Sequence, residues 1–350
     1  MNTQILLDDF ERIANSSIPF DEFRNKSILI TGGTGLIGSL CAKALLYVND
    51  KRQLNLKVFV SIRSEDKAKT VYSDYLSNPS LNFVYWVSPD DLEIANHIDF
   101  IIHSAAETSS KQMIQDPLNV ISLSVDGLRK VLEFALKNDS TVVYLSSMEM
   151  YGNPNLDRKV TEEDQGYIDL TNTRSCYPES KRMCECICSA YAAQKGLHVR
   201  VARLAQTFGA GVFASENRVF AQFAKSACKH EDIVLHTKGL SEGNYVYSSD
   251  AVTALLLLLL RGEDKQAYNI ANEASHTTIS DMAKMVAKEF SDGKSKVIFD
   301  IPSDNIYGYA ADTKLFLSSE KIRNLGWTPS FDLKTSFERM IDYMKSDWMK

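Results

Sequence analysis

Ser27-Ile-Leu-Ile-Thr-Gly-Gly-Thr-Gly-Leu-Ile-Gly38 is an apolar run that passes directly into glycines at positions 32, 35 and 38. Beyond them Leu36, Leu40, Ala44 and Leu45 recur at helical spacing. A strand that enters a helix through such a turn has the form of a dinucleotide-binding unit. Gly32 permits the sharp turn, Gly35 lets backbone approach a pyrophosphate, and Gly38 lets the helix pack closely on its strand. The candidate phosphate-binding residues are therefore Gly32, Thr34, Gly35, Leu36, Ile37 and Gly38, with the N–H groups of the helix start aimed at the anion. The alternative is a glycine-rich turn without a ligand.

Outward from this turn the chain keeps alternating. Residues 56–62, 83–87 and the stretch His97-Ile-Asp-Phe-Ile-Ile-His-Ser-Ala-Ala106 read as further strands. A long helix over 117–137, a strand over 141–146, a polar loop over 153–175, a helix from Tyr177 to Gln194 and a strand over 199–204 follow. The last of these closes the sheet in this reading. Strand-helix alternation predicts an α/β fold, a doubly wound parallel sheet of Rossmann type with ligands at the carboxyl ends of its strands. The expected division is a helical extension over 1–26, a dinucleotide-binding domain over 27–208 and a smaller, mainly substrate-binding region over 209–350.

Composition narrows the function. With 350 residues, 44% apolar and 24% charged, and a net charge of −6, the chain has no basic excess for nucleic acid. The longest apolar run, 251–260, falls far short of the ~20 residues of a bilayer span, so a buried helix is expected there and no membrane contact. Asp8, Asp9 and Glu11 near the start do not resemble a secretory signal, and a cytoplasmic location is the expectation. Cys184, Cys186 and Cys188 lack the spacing of a metal site; two share a helix face as small core residues, and no metal is expected.

The chemistry gathers around Tyr177-Pro-Glu-Ser-Lys181. Tyrosine and lysine four apart share a helix face, where an ammonium can lower the phenol pKa and hold a ribose hydroxyl. Upstream lies a strand ending Ser146-Ser147, and the order of glycine turn, serine, tyrosine and lysine resembles the extended short-chain dehydrogenase/reductase family. Leu145-Ser-Ser-Met-Glu-Met-Tyr-Gly152, His103-Ser-Ala-Ala106 and Leu325-Gly-Trp-Thr-Pro329 are similar to motifs of its sugar-nucleotide epimerase/dehydratase branch. Arg174-Ser-Cys-Tyr-Pro-Glu-Ser-Lys-Arg-Met-Cys-Glu185 resembles the UDP-glucuronate decarboxylases in particular.

That resemblance implies a cytoplasmic homodimer using NAD(P) on a nucleotide-sugar substrate, oxidising the sugar at C4 and decarboxylating or epimerising it through a 4-keto intermediate. Tyr177 would be the base, Lys181 its modulator, Ser147 the hydrogen-bond partner of the reacting oxygen, and Glu149 the base of the later step. Ala105 would lie on the nicotinamide side; Thr108, Ser147, Glu149, Gln206 and Arg218 would contact substrate. The alternatives are an NADPH-dependent reductase of a nucleotide-linked or phosphorylated keto sugar in surface polysaccharide biosynthesis, and a non-catalytic dinucleotide sensor. Glu149 itself has the alternative of a solvated loop carboxylate.

Four positions depart from the branch pattern. Gly243 stands where an arginine usually helps hold substrate, Gln206 and Ser124 where asparagines are expected, and Met148 where 4,6-dehydratases carry an acidic proton donor. A thioether cannot donate that proton, which disfavours dehydration. Substrate binding would then be rebuilt around Arg203, Arg218 and Lys238. Arg63 and Ser64, at the end of the second strand, suit a 2′-phosphate and give NADP(H) a slight preference over NAD. The opposing possibility is that Glu65 or Asp66 reaches the ribose while Arg63 stacks on adenine.

Overall fold

A seven-stranded parallel sheet runs through the centre of the protein, and its strand order sets the glycine turn where the winding reverses. The computed structural model describes residues 3–88, 92–302 and 312–347. The chain runs α1 (Gln4–Ala14), β1 (Ser27–Thr31), α2 (Leu36–Arg52), β2 (Lys57–Ile62), α3 (Glu65–Val71), β3 (Leu81–Tyr85), β4 (Phe100–His103), α4 (Ser110–Gln115), α5 (Pro117–Asn138), β5 (Thr141–Ser147) and α6 (Cys176–Lys195). It continues through β6 (Val199–Leu204), β7 (Gln206–Phe208), α7 (Val219–Lys229), β8 (Ile233–Leu235), β9 (Glu242–Tyr247), α8 (Ser248–Arg261), β10 (Ala267–Ile270), β11 (Asn272–Thr278), α9 (Ile279–Phe290), β12 (Val297–Phe299), α10 (Glu320–Arg323) and α11 (Leu333–Asp347).

The large sheet has the order β10-β6-β5-β4-β1-β2-β3, with β11-β9-β7 and β12-β8 as smaller sheets. Every neighbouring pair of the large sheet is parallel. β1 is buried along its length, as a central strand covered on both faces must be. β2 and β3 lie to one side of β1 and β4 to the other, so a crevice opens at the carboxyl ends of β1 and β4.

The sheet does not close at 199–204 as the sequence suggested. β10 pairs beyond β6, from Ala267 opposite Val201 to Ile270 opposite Leu204. The strand was hidden because it is four residues long and carries Asn269, a polar residue buried completely. Its amide is satisfied by Tyr151 Oη, which donates to Oδ1 at 2.7 Å, and by the Val160 and Ser318 carbonyls at 3.3 and 3.0 Å. β3 also lies two residues earlier than expected, because pairing runs from Val58 opposite Leu81 to Ile62 opposite Tyr85.

The leucine run forms α8, a helix apolar nearly all round and buried from Ser248 to Leu259 but for Thr253. Truncating any one of its buried leucines to alanine should cost about 2–5 kcal/mol. At its start, Asp250 accepts from Ser330 N at 2.9 Å while Trp327 Nε1 donates to the Asp250 carbonyl at 3.0 Å. The Leu325-to-Pro329 motif thus anchors this helix. Opposite it, buried Asp9 of α1 receives Arg339 of α11 at 2.7 Å and Tyr247 Oη at 2.8 Å, tying the first helix to the last. Cys184 and Cys188 are buried and Cys186 is exposed, as small core residues on one helix face should be. No helix among the described residues is long and apolar enough to cross a membrane.

Candidate active site

The glycine turn packs closely on the segment that follows β4. Gly32 has φ +66°, and a Cβ there would stand 2.7 Å from Ala105 Cα. At Gly38 a Cβ would stand 2.5 Å from the Gly32 carbonyl oxygen. Three residues that sequence reasoning missed hold the turn: Gly32 N donates to Ser61 Oγ at 3.0 Å, Tyr72 Oη to the Gly33 carbonyl at 2.6 Å, and Ser104 Oγ to the Thr31 carbonyl at 2.6 Å. The available signal was a serine inside the apolar strand Lys57–Ile62.

Gly35 is the N-cap of α2 and has no side chain to cap it. The N–H groups of Leu36, Ile37 and Gly38 therefore lack intrahelical acceptors and remain for an anion. Together with Thr34 they fit the pyrophosphate of a dinucleotide. Ala105 lies against Gly32 at the crevice, its N–H 3.3 Å from Thr31 Oγ1. At the far end Arg63 is exposed, while Ser64 Oγ caps α3 by accepting from Lys67 N at 3.3 Å. Glu65 is engaged, accepting from Tyr85 Oη at 2.7 Å and pairing with Lys69 at 2.7 Å.

Tyr177 and Lys181 sit in the first turns of α6, where Pro178 is tolerated because the first turn needs no intrahelical donor there. Both are almost wholly buried. Lys181 Nζ donates to the Leu145 carbonyl at 2.7 Å and lies 5.7 Å from the centre of the Tyr177 ring. Burial pulls the Lys181 ammonium down to about 8, offset in part by Cys184 and Glu185. Tyr177 is pushed up to about 12, first by burial and then by Glu149, against the opposing pull of Ser147, Arg218 and Arg174. Arg218 and Arg174 thus join the pull on the phenol, two cations that the tyrosine–lysine spacing alone does not announce.

Of the two serines at the end of β5, the structure separates the roles. Ser146 is buried with its hydroxyl donating to Glu185, whose carboxylate also holds Arg203 at 2.7 Å. Ser147 is partly exposed and caps the short 3-10 turn Met148–Tyr151, accepting from Glu149 N at 3.2 Å. Arg182 fixes that turn from α6 by donating to the Met150 carbonyl at 2.7 Å and the Tyr151 carbonyl at 3.3 Å.

Glu149 meets Arg174 in a two-pronged pair, Nη1 to Oε2 at 2.8 Å and Nη2 to Oε1 at 3.3 Å. Arg174 lies in the short turn before α6, and nothing in that segment's sequence points to Glu149 as its partner. Gly243 faces the same turn: the nearest atom to a Cβ built there is Met148 Cε at 3.7 Å. Arg203 is not available to substrate, contrary to the expectation, because burial beside Glu185 and Tyr151 makes it a core ion pair. Arg218 is the N-cap of α7 and pairs with Glu216 at 2.7 Å, and Lys238 is exposed. Gln206 is half-buried in β7 opposite Tyr245, Ser124 folds its hydroxyl onto the Val120 carbonyl at 2.7 Å, and Thr108 is exposed on the loop before α4.

A family model described as NAD dependent epimerase/dehydratase family matches residues 28–271. The chain belongs to this family. It is 25% identical over 331 residues to UDP-glucuronic acid decarboxylase 1 of Xenopus tropicalis, covering 92% of this chain and 73% of that protein. It is 27% identical over 326 residues to UDP-glucuronic acid decarboxylase 6 of Arabidopsis thaliana, covering 90% and 88%. The fold matches that of dTDP-glucose 4,6-dehydratase from Bacillus anthracis in complex with NAD, with TM-score 0.75 and 18% identity, over 93% of this chain and 98% of that one. The protein is an enzyme of the epimerase/dehydratase family, built on a Rossmann sheet for an NAD-type cofactor.

Proposed function

We propose that this enzyme oxidises a nucleotide-linked hexuronate at C4 and decarboxylates it through a 4-keto intermediate. The observation that carries this reading is the Glu149–Arg174 pair in contact with the turn of Ser147 and one helical turn from Tyr177. When bound, NAD supplies the acceptor and then the donor of a hydride at C4. Tyr177 takes the proton of the C4 hydroxyl once its own proton has left, an ionisation that the Lys181 ammonium near its ring favours against burial, while Ser147 hydrogen-bonds the same oxygen. Lys181, a cation at neutral pH, holds ribose beside it. A ketone at C4 makes the C5 carboxylate a β-keto acid, whose C5–C6 bond can break with release of carbon dioxide. Glu149 governs the proton at C5, and Met148 beside it offers no proton to expel a hydroxyl.

Two finer readings accompany this one. NADP(H) is favoured slightly over NAD, because Arg63 is exposed just past the end of β2 with no hydrogen bond or ion pair among the described residues, while Glu65 is occupied by Tyr85 and Lys69. A homodimer through α5 and α6 is supported by exposed Leu118, Ile121 and Met183 on those helices. The test of the reaction is incubation of NAD-loaded protein with UDP-glucuronate, followed by product mass. Loss of one carbon dioxide is expected; unchanged mass with every nucleotide uronate offered would refute it.

A further inference from the structure

We propose that Arg174 is the receptor for the substrate carboxylate, and that Glu149 occupies its fork only until substrate arrives. The proposal rests on the hexuronate reading above and adds the residue that selects the acidic sugar. Its basis is the geometry of the pair. Both nitrogens of one guanidinium meet both oxygens of one carboxylate, at 2.8 and 3.3 Å, which is the planar arrangement by which arginine recognises carboxylates in general. The fork therefore already faces a space the size of a carboxylate, beside the tyrosine that takes the C4 proton.

The other arginines near the site have different obligations. Arg203 is buried against Glu185, Arg182 spends its donors on backbone carbonyls and Glu179, and Arg218 pairs with Glu216. Among the described residues, the only hydrogen bonds of the Arg174 side chain are to Glu149. Across the site, Gly243 puts no cation against Met148, although its surroundings leave ordinary van der Waals room for a side chain. An acidic substrate thus has its carboxylate partner on the α6 side of the cleft.

Exchange at Arg174 is cheap in structural terms. The side chains are 33% and 27% exposed, so water can reach the pair and its net strength is small. The backbone on either side is fixed independently: Arg174 N donates to Asn172 Oδ1 at 3.0 Å, Ser175 Oγ to the Asp169 carbonyl at 2.6 Å, and Glu149 N to Ser147 Oγ. Swapping one carboxylate for another then moves two side chains and leaves the loop in place. The displaced Glu149 carboxylate is released beside the sugar, where the later proton step needs it.

The experiment measures calorimetric binding of UDP-glucuronate and UDP-glucose to the NAD-loaded protein. Arg174→Gln should weaken UDP-glucuronate by about tenfold or more while UDP-glucose changes less than about twofold. Arg174→Lys, which keeps the charge and loses the fork, should fall between, and it keeps the test open if the glutamine variant does not fold. Glu149→Gln should tighten UDP-glucuronate by about threefold, because a competitor for the fork has gone. Equal weakening of both sugars by the arginine variants, or weaker uronate binding in Glu149→Gln, would overturn the proposal while leaving the decarboxylation reading standing. A parent protein that binds neither nucleotide sugar would overturn both.

Discussion

Replacing Lys181 with methionine should abolish turnover and yet make the protein more stable at neutral pH. The ammonium is buried, and its pKa is drawn from 10.5 to about 8. Below the folded value both states carry the proton, so the whole penalty of burying the charge is present there. Between the two values only the unfolded chain holds the proton, and stability from this group rises with pH; above the unfolded value the penalty is gone. A shift of that size corresponds to roughly 3 kcal/mol. Methionine fills a similar volume but leaves the Leu145 carbonyl without its donor, at a cost of about 1–2 kcal/mol. The variant should therefore be more stable than the parent by about 1–2 kcal/mol near neutral pH, and less stable by a similar amount once pH exceeds the unfolded value. Urea unfolding of both proteins without nucleotide, from about pH 7 to about pH 11, reads this directly. A difference in stability that does not change with pH would refute the assignment of a strained, buried ammonium.

Three further outcomes are expected. Tyr177→Phe should lose on the order of 10²-fold or more in single-turnover hydride transfer while retaining cofactor affinity, because the missing hydroxyl carries the proton and the ring carries the packing. Glu149→Gln should still reduce bound cofactor on adding uronate, yet form final product roughly 10²–10⁴-fold more slowly, with keto intermediate visible by mass. Arg63→Glu should weaken NADPH by at least about tenfold and NADH by less than about threefold in a fluorescence titration, and equal effects would remove Arg63 from the phosphate site.

The central part of the fold was legible because its signals are local. An apolar strand running into spaced glycines, and a tyrosine and lysine one helical turn apart, are contained within a few residues each, and both stand where the sequence implied. What was not legible depends on partners distant in sequence. Arg203 looks like a free cation until Glu185 and Tyr151 are seen to enclose it. Arg174 belongs to a helix-opening motif, and nothing in that motif says that Glu149, twenty-five residues earlier, will fill its fork. Asn269 gives no local sign of a strand, and only the three groups around its amide explain why buried β10 keeps it.

That asparagine bears on how such enzymes can diversify. β10 reaches the sheet edge from beyond the long insertion after β7, and Asn269 grips Tyr151, whose own hydroxyl meets Arg203 at 2.8 Å. Tyr151 closes the turn that carries Met148 and Glu149. The part of the chain that shapes the reacting turn and the part that comes after it in sequence are therefore interlocked like a woven seam. Recombination at the boundary after β6 would cut that seam, leaving one edge of the sheet bare and the turn with only the Arg182 contacts to hold it. New substrate preferences in this scaffold should accordingly arise by substitution within loops, since exchange of whole segments would carry the catalytic geometry away with them.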